Sequence, residues 1–297
     1  MNENRLKNYE EQIHKIFKGV NEGSYSSRYT YEQSCNEFAK WLSNSEFKLS
    51  NIKNISFKHI NAYVEDCKEK NLSSATIIKN LSAIRYMADK GEFKNRLPQD
   101  NKQWNLEKRN SGQIDRSWSK SEFNGLIETA AENKRNDVII SAELSKNFGL
   151  RIEETLHITP KILENTIKHG EMYVTKTKHG RPRAIVLTNS EQYKIAKDLL
   201  NYCKIKGIKD NQRILQSEKG ILKEKRSIEK FIYNHRDKFV DRQYRASTNG
   251  KIKEQMPTFH GLRYTYVQEL EKNGYKKYIT QNTGHNRKST DKIYSNK

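Results

Sequence analysis

Apolar residues recur three and four positions apart through most of the first hundred residues. Tyr31, Cys35, Phe38 and Leu42 mark one helical face, and Ile60, Tyr63, Val64 and Cys67 mark a second. Ile77, Leu81, Ile84 and Ala88 mark the clearest, with serines ahead of it as cap candidates and Gly91 placed to stop it. From about residue 94 to 113 the chain holds Pro98, many polar side chains and no sustained period, which predicts a linker. Phe123, Leu126 and Ile127 then predict a helix capped by Ser119 or Ser121, and residues 137–159 a long apolar helix interrupted at Gly149. Over 171–188 the period changes to two, around Tyr173 and Ile185/Leu187, with Lys-His-Gly-Arg-Pro between two β-prone runs: a hairpin. Helical patterns return after Ser190, with a polar loop near 241–257 and no internal repeat or low-complexity tract. The expected fold is mainly α with a small antiparallel β-sheet in the second domain (α+β). Its expected parts are a helical domain over 1–100, a linker over 101–116 and a second domain over 117–297.

Charge extends this picture to a partner. The 297 residues carry 56 Lys and Arg against 36 Asp and Glu, a formal net of +20. A polyanion suits such a surface, because Lys and Arg release counterions from nucleic acid; a Lys-rich composition, with abundant Asn and Ile, is the plainer explanation. The excess is uneven. Residues 1–110 carry 19 basic against 14 acidic side chains, and residues 111–297 carry 37 against 22. Cys35, Cys67 and Cys203 lie far apart without a Cys-x-x-Cys pair, which predicts free thiols in a reducing compartment and neither a disulfide framework nor a zinc site. No run approaches the roughly 18 apolar residues of a membrane span. The polar N-terminal stretch does not read as a signal peptide, so a cytoplasmic, nucleoid-associated location is expected.

Four short stretches carry candidate chemistry: "GLRIEE" at 149–154, "KTKHGRPR" at 176–183, "HGLRYTYVQEL" at 260–270, and "TGH" at 283–285 followed by Tyr294. Singly each has an ordinary reading: a salt-bridged Arg151, a solvated Lys178, a His260–Arg263 pair sharing a helix face, a surface Tyr294. His157, His169 and His179 show no ligand spacing and read as structural or surface residues. In this order and spacing, with nine residues from His285 to Tyr294 and Arg183 five after Lys178, the stretches resemble the tyrosine recombinase (phage integrase) family. The first hundred residues, above all "LSSATIIKNLSAIRYMADKG", resemble its helical core-binding (SAM-like) DNA-binding domain.

The resemblance implies a two-domain DNA clamp, an N-terminal helical bundle plus a tyrosine-recombinase catalytic domain. It implies a site-specific recombinase or integrase that cuts and rejoins DNA through a 3′-phosphotyrosyl intermediate, without metal, cofactor or ATP. Tyr294 would be the nucleophile, His260 the proton acceptor, Lys178 the acid for the leaving 5′ oxygen (with Lys176 its competitor), and His285 a second phosphate contact. Arg151 and Arg263 would clamp the non-bridging oxygens, a task suited to a planar guanidinium that stays charged. Glu154 would orient Arg263 or Arg151 from behind, or be a surface carboxylate. Lys79, Arg85, Arg181 and Arg183 are the expected DNA contacts. Double-stranded DNA with specific core sites, a homotetramer on two sites and an accessory DNA-bending protein are the implied partners. A relaxase, a type IB topoisomerase or a catalytically silent DNA-binding regulator would share the same motifs. Two features depart from the family pattern: only Ser-Asn-Lys follows Tyr294, too short for the docking helix many members carry there, and Tyr264 stands where His is common.

Overall fold

The computed structural model describes residues 3–106, 115–177, 180–216, 220–240 and 256–284. The chain divides into two compact units, residues 1–110 and 111–297, and each has its own apolar core.

The first unit is built from four helices, α1 (Glu3–Lys18), α2 (Tyr25–Asn44), α3 (Phe57–Glu69) and α4 (Ser74–Lys90). Ser24 and Ser73 accept backbone N–H groups at the starts of α2 and α4, satisfying donors that a helix start leaves open. The predicted faces turn inward: Cys35, Phe38, Leu42, Ile60, Tyr63, Val64, Cys67, Ile77, Leu81 and Ile84 are buried beside Tyr9, Ile13 and Phe17 of α1. Gly91 ends α4 in an ordinary right-handed conformation (φ −89°), and the positive φ falls on Glu92. Glycine is needed at 91 for space, since a Cβ there would lie 2.8 Å from the Phe93 ring and 2.9 Å from Ile16.

The stretch without periodicity is partly anchored to this unit. Leu97 and Trp104 are buried in its core, and Arg85 holds the chain between them. Arg85 Nε donates to the Pro98 carbonyl at 2.5 Å, and Nη2 donates to the Asp100 carbonyl and to Asn101 Oδ1, each at 2.8 Å. These bonds turn the Nε and Nη2 edge of the guanidinium toward the protein's own chain. Lys79, on the same helix, is exposed.

The second unit holds α5 (Lys120–Glu132), α6 (Asn136–Phe148), α7 (Ile152–Thr155), α8 (Pro160–His169), β1 (Glu171–Val174), β2 (Arg183–Val186), α9 (Ser190–Ile205), α10 (Ile221–Phe239), α11 (Phe259–Lys272) and α12 (Ile279–Thr283). Ser119, not Ser121, caps α5, in a reciprocal box with Glu122. The long apolar pattern does break at Gly149, between α6 and α7. β1 and β2 pair antiparallel, with Met172 opposite Ile185 and Val174 opposite Arg183. Met172, Val174 and Ile185 face the core, whereas Tyr173 is 56% exposed, so the first strand has the opposite phase to the one its tyrosine suggested. Most of the polar loop, residues 241–255, lies outside the described residues. All three cysteines are buried and free. Among the described residues no helix is long and apolar enough to cross a membrane.

Candidate active site

The turn between α6 and α7 sets the first candidate. Gly149 closes α6 at φ 63°, ψ 25°, and a Cβ there would run into the Tyr266 ring of α11, so both conformation and space demand glycine. Leu150 is buried next to it, and its carbonyl accepts from the Ser145 hydroxyl at 2.8 Å. With the chain pinned on that side, Arg151 becomes the residue preceding α7, in extended conformation with its side chain one-quarter exposed.

Glu154, one turn later, is 2% exposed and accepts four hydrogen bonds. Arg151 supplies its backbone N–H at 2.8 Å and Nη1 at 3.0 Å; Arg183 supplies Nη1 at 2.8 Å and Nη2 at 2.6 Å. Burial by itself would raise the Glu154 carboxyl, but the hydrogen bond and charge of Arg183, then those of Arg151, outweigh it and hold the group down to about 2. Glu154 is thus a buried anion between two arginines. Arg183 had been expected on DNA; instead it is 9% exposed, at the start of β2, with Nε donating to the Asn282 carbonyl at 2.9 Å. A Cβ on Gly284 would meet the same arginine's Cδ at 3.0 Å, so this glycine lets α12 end against it.

Arg263, on the buried side of α11, is 0% exposed. Its Nη1 donates to the Gly149 carbonyl and its Nη2 to the Thr283 carbonyl, so one cation joins the turn before Arg151 to the end of α12. His260, three residues earlier, is exposed and meets the Tyr264 ring edge to face, with centroids 5.8 Å apart. Tyr264 itself is buried. Lys176 and Arg181 are exposed, and Thr177 closes the chain between them by donating to the Arg181 carbonyl at 2.8 Å. Lys178, His179, His285 and Tyr294 lie outside the described residues. His157 is half-buried; burial first, then Arg213 and Lys176, lower its pKa. Among the described residues no three His, Cys, Asp or Glu side chains converge as a metal site.

Asn282 was not singled out in the sequence. It is fully buried, and its amide bonds both backbone groups of Val186, accepting from the N–H and donating to the carbonyl, each at 3.0 Å. It also donates to the Tyr266 hydroxyl at 2.7 Å, and burial pushes that phenol up to about 12. Its spacing of three from the buried Ile279 was the available signal, and a polar residue at such a position calls for partners that only the tertiary structure supplies.

Arg151, Glu154, Arg183 and Asn282 therefore form one hydrogen-bonded group that joins α7, β2 and α12, and Arg263 of α11 bonds the carbonyls of Gly149 and Thr283, neighbours in sequence of that group. Two family models match the chain, one described as phage integrase, N-terminal, over residues 6–94, and one as phage integrase family, over residues 116–297. No curated protein matches it significantly. Solved structures share the fold at low identity. A lambda integrase tetramer bound to a Holliday junction aligns at TM-score 0.67 and 16% identity, over 98% of this chain and 78% of that one. The Tn1549 transposon integrase in complex with circular intermediate DNA aligns at 0.58 and 13%, over 97% and 94%. XerH recombinase bound to its difH substrate aligns at 0.58 and 16%, over 96% and 81%.

Proposed function

Because this chain belongs to the phage integrase family, and so is a site-specific tyrosine recombinase acting on DNA, we propose that Tyr294 is its nucleophile and that Arg151, Lys178, His260, Arg263 and His285 complete its catalytic set. The Tyr294 oxygen attacks the scissile phosphorus and its proton passes to His260, directly or through water. The bond from phosphorus to the 5′ oxygen breaks, and Lys178 gives that oxygen a proton, leaving a 3′-phosphotyrosine and a free 5′-OH. The adduct keeps the phosphoester, so a 5′-OH from another strand reverses the step and exchanges strands without ATP. Arg151, with its exposed edge, binds a non-bridging oxygen, where charge builds in the transition state. Arg263 takes the other oxygen in exchange for one of its two carbonyls, and His285 donates a further hydrogen bond.

The observation that carries this reading is the buried Glu154 between Arg151 and Arg183, with Arg263 bonding the carbonyls of Gly149 and Thr283. It brings two arginine-bearing segments to the end of α12, two residues before His285. At the coarser level we assign residues 1–100 to core-binding, 101–116 to the linker and 117–297 to catalysis. Assembly as a homotetramer on two specific core sites follows by likeness to the lambda integrase tetramer, with an accessory DNA-bending protein and a nucleoid location as further expectations.

A nicked duplex carrying the target site tests the chemistry. Wild type should leave a covalent protein–DNA adduct on a denaturing gel, and Tyr294→Phe should leave none. An adduct of equal yield from Tyr294→Phe would move the nucleophile to another residue, and none from wild type on any element end would replace this reading with that of a DNA-binding regulator.

A further inference from the structure

Arg183 uses every edge of its guanidinium inside the protein, on the two Glu154 oxygens and the Asn282 carbonyl. The carboxylate it holds also bonds Arg151 at 3.0 Å. In formal charge, Arg151 with Glu154 alone is neutral, and Arg183 brings the three to +1. The difference matters because an anion at 3.0 Å cancels much of what a guanidinium offers a phosphate, the more so where water is excluded. Building on the reading of Arg151 as a phosphate ligand, we propose that Arg183 is a positioning and charge-balancing residue for strand cleavage. It occupies Glu154, so that this carboxylate aims Arg151 without neutralising it, and through Asn282 it fixes the same aim relative to the segment that leads to His285. An arginine performs both tasks at once, whereas a lysine keeps the charge balance but has no second and third edge to bond Asn282 and both carboxylate oxygens.

Formal charge sorts the variants. Arg183→Met lowers the group to zero, whereas Arg183→Lys and the double variant Arg183→Met/Glu154→Gln keep it at +1. Single-turnover cleavage of the nicked duplex, DNA affinity and melting temperature are measured for each, with wild type and Tyr294→Phe alongside. Arg183→Met should cleave roughly a hundredfold more slowly while binding DNA within about threefold of wild type. Arg183→Lys should stay within about tenfold of wild type, and adding Glu154→Gln to Arg183→Met should restore cleavage by about tenfold or more. A merely structural arginine predicts the reverse for the double variant, which removes a second buried partner. A folded double variant no faster than Arg183→Met, or an Arg183→Met within about tenfold of wild type, would overturn the proposal. If Arg183→Met does not fold, the other two decide: cleavage within about tenfold of wild type in both supports it, and a larger loss in either folded protein overturns it. Absence of any adduct from wild type would remove the catalytic reading of Tyr294, and this inference with it.

Discussion

Glu154 carries its charge where it is 2% exposed, and its pKa of about 2 in the folded chain lies below the ordinary value of 4.5. A carboxyl depressed by folding stabilises the fold above its unfolded pKa and loses that contribution as pH falls through the folded value, here a loss on the order of 3 kcal/mol between about pH 5 and 2. The gap in unfolding free energy between wild type and Glu154→Gln should therefore be widest near neutral pH and close toward pH 2; a gap independent of pH would contradict the ion-pair account. Arg151→Lys tests the neighbouring residue. A lysine keeps the charge and loses the fork, so DNA affinity in a mobility-shift titration should hold within about threefold while cleavage falls roughly a hundredfold. Equal losses in both would contradict a transition-state role. Residue identity and order brought Arg151, His260 and Arg263 forward as candidates. They were not enough for Arg183: whether the first residue of β2 faces DNA or the core depends on a one-residue phase, and the strand is four residues long.

Among the elements, the turn from α6 to α7 is tightly constrained. Gly149→Ala combines a left-handed backbone with a clash against the Tyr266 ring, and should cost about 2–4 kcal/mol in urea unfolding. A cost below about 0.5 kcal/mol would mean that the ring yields. The helices were legible because burial and a period of 3.6 coincide in them, as Cys35, Phe38 and Leu42 of α2 illustrate. The hairpin was legible as an element but not in phase, because Tyr173 carries a strand-forming ring while lying 56% exposed. The anchoring of Leu97 and Trp104 was hidden for another reason. Isolated apolar residues in a polar stretch have no period, and here a single arginine, Arg85, fixes the chain that presents them.

At the scale of the molecule, two separate cores predict two separable folding units. Fragments 1–110 and 111–297 should each show a cooperative thermal transition by circular dichroism. Because the second carries most of the positive excess, its affinity for duplex DNA should fall more steeply with added salt. A steeper slope for the first fragment would place the main phosphate contacts there instead. One feature of the second unit bears on how whole molecules tolerate crowding on a DNA site. A two-stranded sheet leaves unpaired N–H and C=O groups along its rims, and such a rim is a template on which another chain can add a strand. At Val186 the side chain of Asn282 bonds both groups, as a neighbouring peptide would. One buried amide thus acts as a single-residue mock strand, and it denies that position to any further strand.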